Sequence, residues 1–112
     1  MTAGEAIRRF DDLRRNELPL DVKLDCLDQL ENNLACDFGF DKPEKLGESD
    51  RLIAQNRPDL YFLQLCARLD FENRDFERQE NDLKLFAAEY ARFAADTVRR
   101  SVRGGRMKVG GA

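Results

Sequence analysis

Residues 58–101 read PDLYFLQLCARLDFENRDFERQENDLKLFAAEYARFAADTVRRS, with no glycine and no proline after the first position. So long a run without either breaker, rich in leucine, alanine and aromatics, confines most of the second half of the chain to helix. Leu60–Ala67 is apolar on almost every side, which predicts a helix buried on most of its faces. Asp70 to Arg78 turns polar and leaves Phe71 and Phe76 as anchors. Beyond it, Leu83, Phe86, Ala87, Tyr90, Ala94, Thr97 and Val98 recur at helical spacing. The pattern predicts two helices, about 59–78 and 82–102. The break falls near Asn81, where Asn81 and Asp82 can bond their own backbone and start a new helix. One uninterrupted helix is the alternative.

The upstream chain has the punctuation of elements that fold against this run. Thr2 and Glu5 form a T-x-x-E capping box. The helix it opens runs to about Arg15, with Ala6, Phe10 and Leu13 on one side, and Asn16 and Pro19 end it. Leu20–Phe38 predicts a second helix. Its apolar stripe is Leu20, Leu24, Leu27, Leu30 or Glu31, Leu34 and Phe38. Asp21, Asp25, Asp28 and Asn32 step along another face, and Asp21 is a plausible cap. Gly39, Pro43, Gly47 and Pro58 then punctuate a connection of about twenty residues, longer than most in a compact domain. Within it, Arg51–Gln55 reads as a short strand or a helical turn. Loops this long are usually functional or disordered, so this one is a candidate partner-binding element. The expected fold is all-α, a small bundle of three to four helices with a long central loop and an extended C-terminal tail. Residues 1–102 form the helical domain and residues 103–112 a flexible basic tail.

Composition narrows the chemistry. The 112 residues contain no histidine, which removes Ser-His and Cys-His nucleophile pairs, histidine metal ligation and the Glu-x-x-His motif of carboxylate di-iron bundles. Cys26, Cys36 and Cys66 are odd in number and lack a C-x-x-C pair, so neither a zinc site nor a disulfide framework is indicated. They read as buried thiols in a reducing compartment. Asp37-Phe38-Gly39 imitates a kinase D-F-G but lacks every companion motif and reads as a turn closing a helix. Arg103-Gly-Gly is a lone copy of a unit that RNA-binding segments repeat. The carboxylates read as solvated helix faces, and no cofactor, metal site or catalytic residue is assigned. MTAGEAIRRF has no apolar signal region, and no run approaches a membrane span, so a soluble chain made in the cytoplasm is expected.

Charge is distributed unevenly. All 22 acidic residues lie at or before Asp96, whereas five of the 19 basic residues follow it, so residues 1–98 carry −8 and residues 99–112 carry +5. An acidic body with a basic end suggests a tail that docks on an acidic partner. Arg99, Arg100, Arg103, Arg106, Met107, Lys108 and Val109 are its candidate contacts. In the tail, Met107 and Val109 alternate with Arg106 and Lys108, a pattern that a partner's sheet edge could take up. A chain this short has limited interior, so Phe71 and Phe76 are candidates for packing against a neighbouring subunit.

Over residues 20–101 the chain resembles the small helical head–tail connector proteins of tailed bacteriophages and prophages, also called adaptor or head-completion proteins. The resemblance rests on Asp59-Leu-Tyr61 opening a helix, Asp70-Phe-Glu-Asn73, the polar step Glu80-Asn81-Asp82, Leu85-Phe86, Tyr90, Phe93 and the basic close Arg99-Arg100. The upstream segment Val22–Glu31 matches the family's first core helix. Gln79 and Glu80 stand where the family commonly has a tyrosine. The resemblance implies a structural virion protein in the neck of the particle. It would assemble as a homo-oligomeric ring, a dodecamer, below the portal protein and meet a tail, stopper or terminator protein. Genomic DNA would pass through its channel without sequence-specific binding. The tail from Arg99 would grip the portal, and Asp21, Asp25 and Asp28 would face the channel as an acidic lining. The competing expectation is a cytosolic helical regulator that binds a protein or nucleic acid through its basic tail.

Overall fold

A computed structural model describes residues 1–103 of the chain. They form four helices: α1 (Ala3–Leu13), α2 (Leu20–Phe38), α3 (Asp59–Glu72) and α4 (Phe76–Arg103). Among the described residues there is no strand, only one isolated antiparallel bridge between Thr2 and Arg51. The all-α bundle expected from the sequence is therefore what the chain adopts.

Local signals fix the first two helices. Thr2 and Glu5 close the capping box reciprocally: Glu5 N–H donates to Thr2 Oγ1 at 3.2 Å, and Thr2 N–H donates to Glu5 Oε1 at 2.8 Å. α2 keeps its expected bounds. Pro19, not Asp21, occupies its cap position and no side chain caps it; Asp21 lies in the first turn, where it accepts from Val22 N–H at 3.0 Å. Gly39 ends α2 in the left-handed conformation (φ 75°), which glycine adopts without steric cost. The D-F-G stretch is thus a helix terminus. Its Phe38 ring packs edge-on against Phe93, with centroids 5.3 Å apart.

The break in the second half lies at Asn73–Asp75, not near Asn81. Arg74 takes φ 60°, and Asp75 Oδ1 accepts from Arg78 N–H at 3.2 Å, the geometry of an N-cap. Asn81 and Asp82 lie inside α4. Three residues between helices make α3 and α4 an antiparallel hairpin. At 28 residues α4 is twice as long as α3. It therefore runs past α3 to reach the loop and the end of α2.

The core lies where all four helices and the loop meet. Phe10, Leu27, Leu34, Leu60, Tyr61, Leu65 and Phe93 are fully or almost fully enclosed. Burying each such side chain contributes about 1.5–3 kcal/mol. The predicted stripes need adjustment, for Leu13, Leu20, Leu83, Ala87 and Val98 are exposed. On α4 the inward face instead runs through Asp82, Phe86, Glu89, Tyr90 and Phe93. Cys26 and Cys66 are buried free thiols as expected, whereas Cys36 is exposed.

The 39–58 loop belongs to this core. Leu46, Leu52 and Ala54 are buried in it. Its backbone takes up the open N-terminus of α1: Ala3 N–H donates to Asp50 O at 3.0 Å and Gly4 N–H to Glu48 O at 2.9 Å. Gly4 permits that approach, since a Cβ there would meet Glu48 O at 3.2 Å. Arg51–Gln55 is irregular apart from the single bridge at Arg51.

Candidate interaction surface

The sequence-predicted residues do not form one site; they fall in three separate places. Phe71 ends the buried part of α3 and Phe76 opens α4. Their rings lie across the Asn73–Asp75 turn with centroids 6.3 Å apart, and 51% of Phe71 and 54% of Phe76 remain exposed. They cover each other only in part and anchor nothing in the core. Beside Phe71, a shallow hollow of about 190 Å³ reaches Leu83, Ala67 and Cys26. Together with exposed Leu83, this makes the hairpin corner the most apolar projection among the predicted residues.

Asp21 and Asp25 are exposed on α2, but Asp28 is committed elsewhere. Its carboxylate pairs with Lys42 Nζ at 3.0 Å and accepts from Leu46 N–H at 3.2 Å. It pins the loop to α2, so it is not part of an open acidic face with the other two. At the far end of α4, Arg99 and Arg100 are exposed. Arg99 Nη1 lies 3.3 Å from Asp96, whose carboxylate also takes Arg57 at 2.9 Å. Arg103 closes α4, and Arg106, Met107, Lys108 and Val109 lie outside the described residues.

Two buried polar groups are built from residues that the sequence assigned to other roles. Glu31, 1% exposed, accepts Tyr61 O–H at 2.6 Å and Ile53 N–H at 3.0 Å, while Tyr61 Oη accepts Ala54 N–H at 2.8 Å. Burial, opposed by these hydrogen bonds, raises the Glu31 carboxyl above its ordinary value. Burial and the Glu31 carboxylate together push the Tyr61 phenol far up. The only sequence signal was an acid on the edge of the α2 stripe and a tyrosine inside an apolar run.

The second group lies behind the hairpin corner. Asp70, 1% exposed, is gripped by Arg14 through Nη2 at 3.0 Å and Nη1 at 3.4 Å. Asp82 of α4 is also buried, 8% exposed. Arg57 supplies a third tie, from the loop to Asp96 and Glu89 on α4.

Among the described residues no cluster of side chains is arranged to hold a metal ion, and no helix is long and apolar enough to cross a membrane. No protein-family model matches the chain, and neither a curated protein nor a solved structure matches it.

Proposed function

We propose that the protein is a structural component of a tailed-phage particle, a head–tail connector whose copies assemble as a ring below the portal and extend the DNA channel toward the tail. One observation carries the assembly in this reading: a chain that closes its own core still leaves Phe71 and Phe76 half-uncovered at the hairpin corner. A neighbouring copy in a ring would cover this pair of rings, whereas their exposure in a stable monomer would count against that packing. The resemblance over residues 20–101 gives the assembly its place. Asp21 and Asp25 remain as the acidic residues that would face the channel. Arg99 and Arg100 would begin the segment that reaches the portal. No catalytic role is assigned to any residue.

The test is sedimentation of an epitope-tagged copy from its producing cells, with companion proteins identified by mass spectrometry. The connector reading expects the chain to travel with DNA-filled particles beside portal and tail proteins. Recovery only in the soluble fraction, bound to another protein or to nucleic acid in a salt-sensitive way, contradicts it and favours the regulator.

A further inference from the structure

Asp70 on α3 and Asp82 on α4 are both buried and lie within each other's hydrogen-bonding reach, and their surroundings do not treat them alike. Asp70 has both oxygens in contact with the Arg14 guanidinium, and Arg78 stands 4.0 Å from Oδ2. Asp82 has no such partner. Its Oδ2 is sealed from solvent and has no hydrogen-bond donor within reach. Two ionised carboxylates are acceptors only, so contact between them is favourable only when one carries a proton. An ionised Asp82 would leave a buried charge unpaired, with Asp70 already holding the nearest cation.

We propose that a single proton, held on Asp82 and donated to Asp70, latches α3 to α4, and that the hairpin corner loosens when Asp82 loses it. On release the proton passes to solvent, leaving two carboxylates facing Arg14 and Arg78. The groups around Asp82 are Asp70 on α3, Arg14 at the end of α1 and Arg78 on its own helix. The buried thiol of Cys66 on α3 also faces this cluster. Phe71 and Phe76 lie on the chain between the two aspartates, so the latch governs how firmly that apolar corner is presented.

The electrostatics agree in direction. Burial, then the hydrogen bond and charge of Asp70, push the Asp82 carboxyl up to about 7. Burial alone would raise Asp70 as well, but the Asp82 hydrogen bond and the Arg14 guanidinium outweigh it and hold Asp70 below its ordinary value. A carboxyl raised in the folded state contributes stability that is complete below its unfolded value of about 4 and declines as pH rises. For Asp82 the decline ends near pH 7. Asp70 acts oppositely and only in the acid range, below its ordinary value. Between about pH 5 and 8 the two effects are therefore separable.

The experiment compares urea unfolding midpoints of the full chain and of Asp82→Asn across that range. The amide keeps a donor toward Asp70 and cannot ionise. The wild-type midpoint is expected to fall relative to the variant as pH rises and to level off above neutrality. Midpoints that move in parallel overturn the proposal. Should Asp82→Asn fail to fold, a carboxyl-carbon NMR titration of the wild-type chain decides. An Asp82 midpoint near 7 supports the latch, and both aspartates titrating near about 4 overturn it. Neither measurement depends on whether the chain belongs to a phage particle.

Discussion

Two buried carboxylates, Glu31 and Asp70, sit on different helices and face different tasks. Glu31 ends in a closed network in which Ile53 N–H, Ala54 N–H and the Tyr61 hydroxyl are all satisfied. That network makes the long loop part of the core. Asp70 ends in a network that is short of one donor, because the neighbouring Asp82 has a sealed Oδ2 with no hydrogen-bond partner. One region is a fixed tie and the other is a joint whose strength depends on a proton. The contrast separates the rigid part of the molecule, where loop and helices lock, from the corner that presents exposed aromatics. A fully satisfied buried polar network rigidifies, whereas a partly satisfied one is sensitive to its surroundings.

The sharpest way to break the comparison is to damage the tie. Glu31→Ala orphans Ile53 N–H and the Tyr61 hydroxyl inside the core and is expected to cost about 3–5 kcal/mol of unfolding free energy. Glu31→Gln keeps an acceptor in place and should cost about 1–2 kcal/mol. Chemical denaturation checks both, and equal losses would show that the side chain matters for packing rather than for its hydrogen bonds. Tyr61→Phe removes only the hydroxyl and leaves Ala54 N–H unpaired, an expected loss of about 2 kcal/mol.

At the corner the expected effects are smaller and of either sign. The Phe71→Asp, Phe76→Asp double variant should lower the stability of the isolated chain by about 1–3 kcal/mol in total, since about half of each ring is in solvent. A larger loss would place those rings in the core and remove the argument for a covered corner. Arg74 occupies φ 60°, so Arg74→Gly should stabilise the chain by about 0.5–1 kcal/mol, read as a raised thermal midpoint. An unchanged or lowered midpoint would mean that the Arg74 side chain contributes more than its backbone costs.

These same regions show what a sequence can disclose. The capping box, the bounds of α2 and the Gly39 terminus were legible because each depends on residues within a turn of one another. The hairpin break was not. Asn81-Asp82 offers the better local signal for a helix start, yet Asp82 is drawn into the core opposite Asp70. The actual turn needs Arg74 in a left-handed conformation that its residue type does not announce. Glu31 was legible only as an ambiguity in the α2 stripe, because its partners lie 22 and 30 positions further along the chain. Asp28 looked like one of a row of surface acids until the loop returned to meet it. Of the surface residues, the exposure of Phe71 and Phe76 could be suspected from the polarity around them. That of Leu83 and Val98 could not, because the apolar spacing on α4 fits two overlapping faces.

The most direct test of assembly through the hairpin corner is particle incorporation of three tagged chains: wild type, the Phe71→Asp, Phe76→Asp double variant and Glu31→Gln. The connector reading predicts that wild type and Glu31→Gln co-sediment with DNA-filled particles, while the folded double variant stays behind. Incorporation of the double variant at the wild-type level, or absence of all three from the particles, would contradict it.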